Sequence, residues 1–266
     1  MVQVEIDFSK SLEENASMYF DKGKEAKAKA ERIRKAILET EKRLSKESKK
    51  AEVAKPEIFR KRAKEWFEKF RWFYSSDGFL VIGGRDAQSN EIIVKKHMGK
   101  GDLYFHADIV GAPHCVVKAA GGKVPEKTKE EAAVFAAVFS KAWAVGISNA
   151  DVYSVNPEQV SKKAPTGESI GTGAFMIYGE RRWFRKLPVR VAVGIDKEGR
   201  VIAGPESAVK KHSSFAAFLS PGAEKKSDVA KRLKAIFEKK YGAKGIHIDE
   251  FIAMIPSGES KIEGNH

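Results

Sequence analysis

The sequence predicts an α+β fold: a mixed sheet domain with packed helices, preceded by a long antiparallel helical hairpin of coiled-coil type. Three observations carry that reading. The chain opens with a Lys-, Glu- and Ala-rich stretch whose apolar residues form one thin stripe. Two tight-turn sequences, Asp77-Gly78 and Asp196-Lys197-Glu198-Gly199, each separate runs of β-branched and aromatic residues. The strands and helices predicted from pattern do not alternate strictly, which argues against a doubly wound sheet.

The first helix starts at Ser11-Leu12, where Ser11 and Glu14 have the spacing of a capping box. Its stripe is Leu12, Tyr19, Ala26, Ala30, Ile33, Ile37 and Leu44. A polar turn over residues 45–55 precedes Pro56, and a second helix is expected from Pro56 to Phe70 with Ile58, Phe59, Ala63, Trp66, Phe67 and Phe70 on its apolar side. Residues 1–70 thus read as the hairpin.

Residues 71–180 read as a mixed α/β domain. A hairpin turns at Asp77-Gly78, Gly83-Gly84 ends its second strand, and a helical run covers Ala87 to His97. Strands are expected at 103–108, 114–119, 150–155 and 173–178. Between them lies a helix from Lys129 to Val145, capped by Thr128; its Ala and Phe content marks it as central and buried. Residues 181–266 read as an α/β extension packed on the same domain. It holds the hairpin at Asp196–Gly199, an amphipathic helix Ser227–Tyr241 closed by Gly242, a last strand Ile248–Ile255, and a frayed tail after Pro256.

Composition narrows the function classes. Lys plus Arg number 49 against 36 Asp plus Glu, a formal net charge of +13. Such an excess attracts polyanions, nucleic acid first among them. The single cysteine, Cys115, excludes an intrachain disulfide framework and fits a reducing compartment. No apolar run approaches the roughly 20 residues of a membrane span. Residues 1–7 lack the basic and apolar segments of a signal peptide, so a cytoplasmic protein is expected, with no membrane partner.

Candidate chemistry concentrates between Phe70 and Ala120. The pair Arg85-Asp86 stands where a strand gives way to a helix, a usual place for binding residues. It reads either as a local salt bridge or as a guanidinium forking to phosphate with a carboxylate beside it. His106 and Asp108 are two apart in a predicted strand and share a face. Arg71, Lys95, Lys96, His97, Lys118, Lys162, Lys163, Arg181 and Arg182 surround this region, with Trp72, Tyr74 and Phe105 interleaved. Cations give sequence-independent attraction to phosphates, and exposed aromatics stack on unpaired bases. In alternating strands many of these aromatics must be core, Trp72 and Phe79 especially. His97, His106, Asp108, His114 and Cys115 lack zinc-ligand spacing, and Cys115 sits in an apolar run that would keep its thiol inert. Gly83-Gly84, Gly121-Gly122 and Gly171-Thr172-Gly173 match neither a P-loop nor a dinucleotide fingerprint. No metal, cofactor or catalytic set is expected.

Several longer strings carry a family resemblance. They are Trp66-Phe67-Glu68-Lys69-Phe70-Arg71-Trp72-Phe73, Leu80-Val81-Ile82-Gly83-Gly84-Arg85-Asp86-Ala87, Asn90-Glu91 and Leu103-Tyr104-Phe105-His106-Ala107-Asp108. With them go Gln159-Val160-Ser161-Lys162-Lys163-Ala164-Pro165 and Gly171-Thr172-Gly173-Ala174-Phe175-Met176-Ile177. Over roughly Trp66 to Glu180 the chain resembles the RNA-binding domain of the NFACT family of ribosome-associated quality control factors. The first 50 residues resemble that family's central coiled coil. The resemblance implies an RNA-binding module and adds Asn90 to the candidate contacts. It also implies partners: tRNA, ribosomal RNA and the large ribosomal subunit with stalled peptidyl-tRNA. There the family recruits aminoacyl-tRNA for untemplated tailing, and the ribosome makes the peptide bond. The family's N-terminal domain, which resembles DNA glycosylases and carries much of the tRNA recognition, has no counterpart in these residues, so complete tailing is not expected of this chain alone.

Two other readings stay open. One is a protein-interaction adaptor that docks a protein partner through its helical hairpin without direct RNA binding. The other is a metal-dependent nuclease using Asp86, His106 and Asp108, for which the further clustered carboxylates are missing.

Overall fold

A computed structural model describes residues 5–51, 63–163 and 170–264. The chain divides into two units, Met1–Lys55 and Pro56–His266.

The first unit is one helix, α1 (Leu12–Ala51). Its start follows the expected capping box: the Ser11 amide donates to Glu14 Oε2 at 2.8 Å, and the Glu14 amide donates to Ser11 Oγ at 3.1 Å. Buried Asn15 fastens the preceding turn, exchanging 2.9 Å hydrogen bonds with the backbone of Asp7 in both directions. Ile33 and Ile37 on the stripe remain about half exposed. Most of the expected second helix lies outside the described residues. Its described end differs from expectation: Ala63–Glu65 is irregular, and Trp66–Lys69 is one turn of 3-10 helix. The reason is packing, since Phe67 and Phe70 are buried in the core of the second unit.

In the second unit a six-stranded antiparallel sheet forms the frame. Its strands are β1 (Arg71–Tyr74), β2 (Leu80–Gly83), β3 (Leu103–Ala107), β4 (Cys115–Val117), β5 (Asn149–Val155) and, two short strands later, β8 (Arg182–Pro188). They lie in the order β1-β2-β4-β3-β5-β8. The short strands, β6 (Val160–Ser161) and β7 (Met176–Ile177), pair only with each other. Asp77-Gly78 turns β1 into β2 as expected, with Gly78 at φ 86°. Alternation splits the side chains: Phe73, Val81, Phe105 and Val117 enter one core cluster, Trp72, Ile82, Tyr104 and Val116 the other. Both faces are covered, which is why β1 and β4 carry no polar face of the usual kind.

Helix α2 (Ala87–Ile92) runs on as a π-helical turn, Ile93–His97. Helix α3 (Glu126–Val138) is central and buried, and α4 (Lys141–Ala144) follows it. Thr128 does not cap α3; the helix begins after Pro125, and the Thr128 hydroxyl points inward to the β1–β2 turn, where it donates to Asp77 and shares a hydrogen bond with the Ser75 hydroxyl. Proline sets the helical start there because its φ already suits it and it needs no donor.

A second, four-stranded antiparallel sheet holds β9 (Val191–Asp196), β10 (Val201–Gly204), β11 (Ser213–Glu224) and β12 (Ser260–Ile262), in the order β10-β9-β11-β12. Helices α5 (Glu206–His212), α6 (Lys226–Tyr241) and α7 (Ile248–Met254) pack with it. Gly242, at φ 64°, closes α6 as its sequence position predicts. Two expectations fail here. Residues 248–254 are helix, capped by His247, not strand. The segment after Pro256 is not frayed: β12 pairs with β11, and Trp143 Nε1 donates to Ser260 Oγ at 3.1 Å. Likewise 173–178 holds only the short β7. Among the described residues no helix is long and apolar enough to cross a membrane.

Candidate nucleic-acid interface

A cleft of 480 Å³ opens between the β2–α2 junction, the end of β3, α4 and the loop before β7. It brings together five of the residues singled out by sequence, Arg71, Arg85, Asp86, Asn90 and His106, and adds a wall of rings.

Each polar group has a local reason for its position. Arg71 is the first residue of β1 and only 8% exposed. Its guanidinium rests 4.5 Å from the Phe139 ring centre, and Nη2 reaches Ser257 Oγ at 3.4 Å. Nε and Nη1 are buried and have no hydrogen-bond partner among the described residues. Burial first, and the charge of Arg85 second, pull the Arg71 pKa down to about 10.

Arg85 is exposed as a residue, yet its guanidinium folds back to donate to the Phe70 carbonyl at 3.0 Å and the Ala253 carbonyl at 3.4 Å. Asp86 caps α2: its Oδ1 accepts from the Ser89 amide at 2.7 Å and the Ser89 hydroxyl at 2.9 Å, and these bonds lower its pKa. Arg85 and Asp86 therefore do not form the salt bridge considered from the sequence; each is engaged elsewhere. Asn90 Oδ1 accepts from the His114 amide at 3.0 Å. That bond needs Gly84, since a Cβ there would stand 1.8 Å from Asn90 Oδ1.

The ring wall follows β3 and β4. Tyr104 Oη and His114 Nδ1 are 2.7 Å apart, and His106 lies 4.9 Å from His114 centre to centre. Burial keeps both histidines neutral near pH 7, with His114 pushed down to about 3. Phe175 meets His114 edge-on at 5.3 Å, and Tyr153 closes the far side. Asp108 lies outside the cleft lining, yet its charge acts on His106 and Tyr153. It is exposed, one residue past the end of β3, where its amide donates to the Asp151 carbonyl at 2.8 Å.

The remaining cations divide by engagement. Lys95 and Lys162 both meet Glu91 at 2.6 Å, and the Gly173 amide adds a third bond at 2.8 Å. Those donors hold Glu91 down at a pKa of about 2 and pin the loop 170–175 against α2. Lys118 is tied to Asp102 and to the His97 carbonyl. Arg182 pairs with Glu126. Lys96 and Lys163 are exposed and make no ion pair among the described residues. The Arg181 guanidinium lies 4.6 Å from the Tyr153 ring, between the cleft and a second recess beside Arg182. His97 stacks on Trp66, which is 45% exposed, with centres 4.6 Å apart and planes at 16°.

Sequence reasoning missed His114 as a wall residue, along with Phe139, Phe175, Ser257 and the stacked Trp66. Phe175 and Trp66 lie in the motif strings and carried that signal. Phe139 and Ser257 had none, because they reach the cleft only through long-range packing.

Residues 69–179 match the family described as NFACT protein RNA binding domain. The chain is 41% identical over 205 residues to an archaeal Rqc2 homolog, aRqcH, of Methanocaldococcus jannaschii, covering 76% of this chain and 30% of that protein. It is 41% identical over 174 residues to the ribosome quality control complex subunit NEMF of Mus musculus, covering 64% of this chain and 16% of that protein. The chain thus spans less than a third of the length of these relatives. Among solved structures it is similar to the C-terminal part of a fibronectin/fibrinogen-binding protein from Streptococcus suis, at 23% identity and a TM-score of 0.40, over 59% of this chain and 52% of that one.

Proposed function

Residues 69–179 belong to the NFACT RNA-binding-domain family, and from that premise we propose that this chain grips RNA of the large ribosomal subunit bearing stalled peptidyl-tRNA. The contact is with tRNA or ribosomal RNA, made through the cleft and the free cations around it. The chain itself makes and breaks no covalent bond; the ribosome joins the peptide. Such a partner is met in the cytoplasm.

One observation carries the reading. The family match spans Arg71, Arg85, Asn90, His106, His114 and Phe175, the residues that the fold gathers into one cationic, ring-lined cleft. Guanidinium groups suit phosphate, and ring faces suit unpaired bases. The resemblance to ribosome quality control factors supplies the cellular setting.

Binding of tRNA by this chain, followed across salt concentration, tests the reading. Affinity is expected to fall steeply, log K against log salt having a slope set by the phosphates engaged. A flat response rejects RNA contact by charge. It would favour the second reading, a protein adaptor, which the exposed Phe20, Ile33 and Ile37 of α1 support.

A further inference from the structure

The cleft gathers positive charge that forms no ion pair among the described residues. Arg71 is buried, two of its nitrogens have no partner, and no carboxylate lies within ion-pair distance among the described residues. Arg85 satisfies itself on neutral carbonyls, which accept hydrogen bonds and leave its charge. Lys226, half buried at the start of α6, makes no hydrogen bond or ion pair among the described residues. Burial and the charges of Arg71 and Arg85 bring its pKa down to about 8. Asp86, the acid whose charge acts on Arg85, is occupied by Ser89. Three cations that repel one another and lack a counter-ion describe a site awaiting an anion.

The rest of the cleft specifies which anion. The lining also holds His106, His114, Tyr153 and Phe175, an aromatic wall whose histidines are neutral. The volume, 480 Å³, falls within the range of small-ligand pockets, about 300–1,000 Å³. Lys141 lines the cleft from α4 and is exposed. A phosphate-binding end beside a ring-lined end matches a nucleotide. A paired base cannot present its face to those rings, whereas an unpaired one can.

We infer that the cleft receives one unpaired nucleotide of an RNA chain, its phosphate on Arg71 and its base against the wall of His106 and Phe175. This assignment rests on the RNA-binding reading and sharpens it. Arg85, on the cleft lining, and Lys226, outside it but with a charge that acts on Arg71 and Arg85, add to the attraction for the phosphate. The flanking duplex stays outside, on Lys96, Lys163 and Arg181.

Two RNA hairpins, each closed by a base-free linker in place of loop nucleotides and identical except for a single bulged adenosine, test it by fluorescence anisotropy with the full chain. The bulged hairpin is expected to bind at least tenfold tighter. Lys226→Ala and Arg71→Met are each expected to erase that preference, so that within either variant the bulged and the paired hairpin bind equally. Melting curves check that both variants fold; should Arg71→Met not fold, Lys226→Ala alone decides. Equal binding of the two hairpins by the native chain overturns the cleft assignment and leaves the RNA-binding reading standing. Absence of binding to either hairpin overturns both. Adenosine 5′-monophosphate, titrated separately, distinguishes the source: tight binding of it without any bulge preference assigns the cleft to free nucleotide and defeats the inference.

Discussion

The Arg71 guanidinium lies 4.5 Å from the centre of the Phe139 ring, buried with no ion pair to a carboxylate among the described residues. Its pKa falls from 12.5 to about 10. A drop of that size corresponds to roughly 3 kcal/mol against folding at neutral pH. The ring face returns about 2 kcal/mol where water is excluded. Arg71→Met is therefore expected to stabilise the protein by about 1 kcal/mol, raising the melting temperature by about 2–4 °C. The same variant loses preference for a bulged RNA. A lower melting temperature would falsify the view that Arg71 is kept for binding at a cost in stability.

Glu91 is the latch of the loop 170–175. It accepts from Lys95, Lys162 and the Gly173 amide, and its pKa drops from 4.5 to about 2. A depressed carboxylate contributes stability that is complete above its unfolded value and is lost as pH falls through the folded one. Amide exchange at Gly173, corrected for its intrinsic pH dependence, is expected to stay protected above pH 4.5 and to lose protection as pH approaches 2. Glu91→Gln is expected to show faster exchange even near neutral pH. Unchanged protection in that variant would mean the loop is held by something else.

Gly84 tolerates no side chain. A Cβ there would stand 1.8 Å from Asn90 Oδ1, which accepts from the His114 amide. Gly84→Ala must break that bond and leave a part-buried amide unpaired, at a cost of about 1–3 kcal/mol. Denaturant unfolding measures the loss. Because His114 carries the ring wall, RNA affinity is expected to fall with it.

These cases show what was legible in the sequence. The capping box at Ser11 and Glu14, the Asp77-Gly78 turn and the Gly242 cap are local rules, and each formed as read. Ile248–Met254 was misread because a short run of apolar, β-branched and aromatic residues suits strand or helix equally. The deciding feature was His247, whose Nδ1 accepts from the Asp249 amide as a cap. β12 could not be anticipated, since its partner β11 lies about 40 residues away and three residues carry little pattern. Arg71 and Lys162 read as surface charges for a similar reason. A strand pattern does not reveal that both sheet faces are covered, nor that an acid on α2 captures a distant lysine.

Cys115 offers a test of that covered sheet. It is fully buried in β4, and its pKa is raised by desolvation. Its Sγ would stand 3.0 Å from a Cβ placed on Gly83. The native protein is expected to resist thiol alkylation near neutral pH, and to react at the ordinary rate only once denatured. Rapid labelling of the native form would show that β2 and β4 open readily.

The free cations make the sharpest comparison. Lys96, Lys163 and Arg181 form no ion pair among the described residues, so reversing them disrupts no salt bridge of the fold. Lys95, Lys118, Lys162 and Arg182 are each held by an acid, so reversing any of them would confuse folding with binding. Replacement of Lys96, Lys163 and Arg181 by Glu is expected to reduce the salt slope of tRNA binding by about three, roughly one for each phosphate no longer engaged. Two such reversals on α6, Lys239→Glu and Lys240→Glu, alter net charge on exposed positions outside the cleft lining. They are expected to lower affinity only slightly and leave the slope nearly unchanged. Equal effects per reversed charge in the two variants would mean that RNA senses only the protein's overall charge, with no privileged face around the cleft.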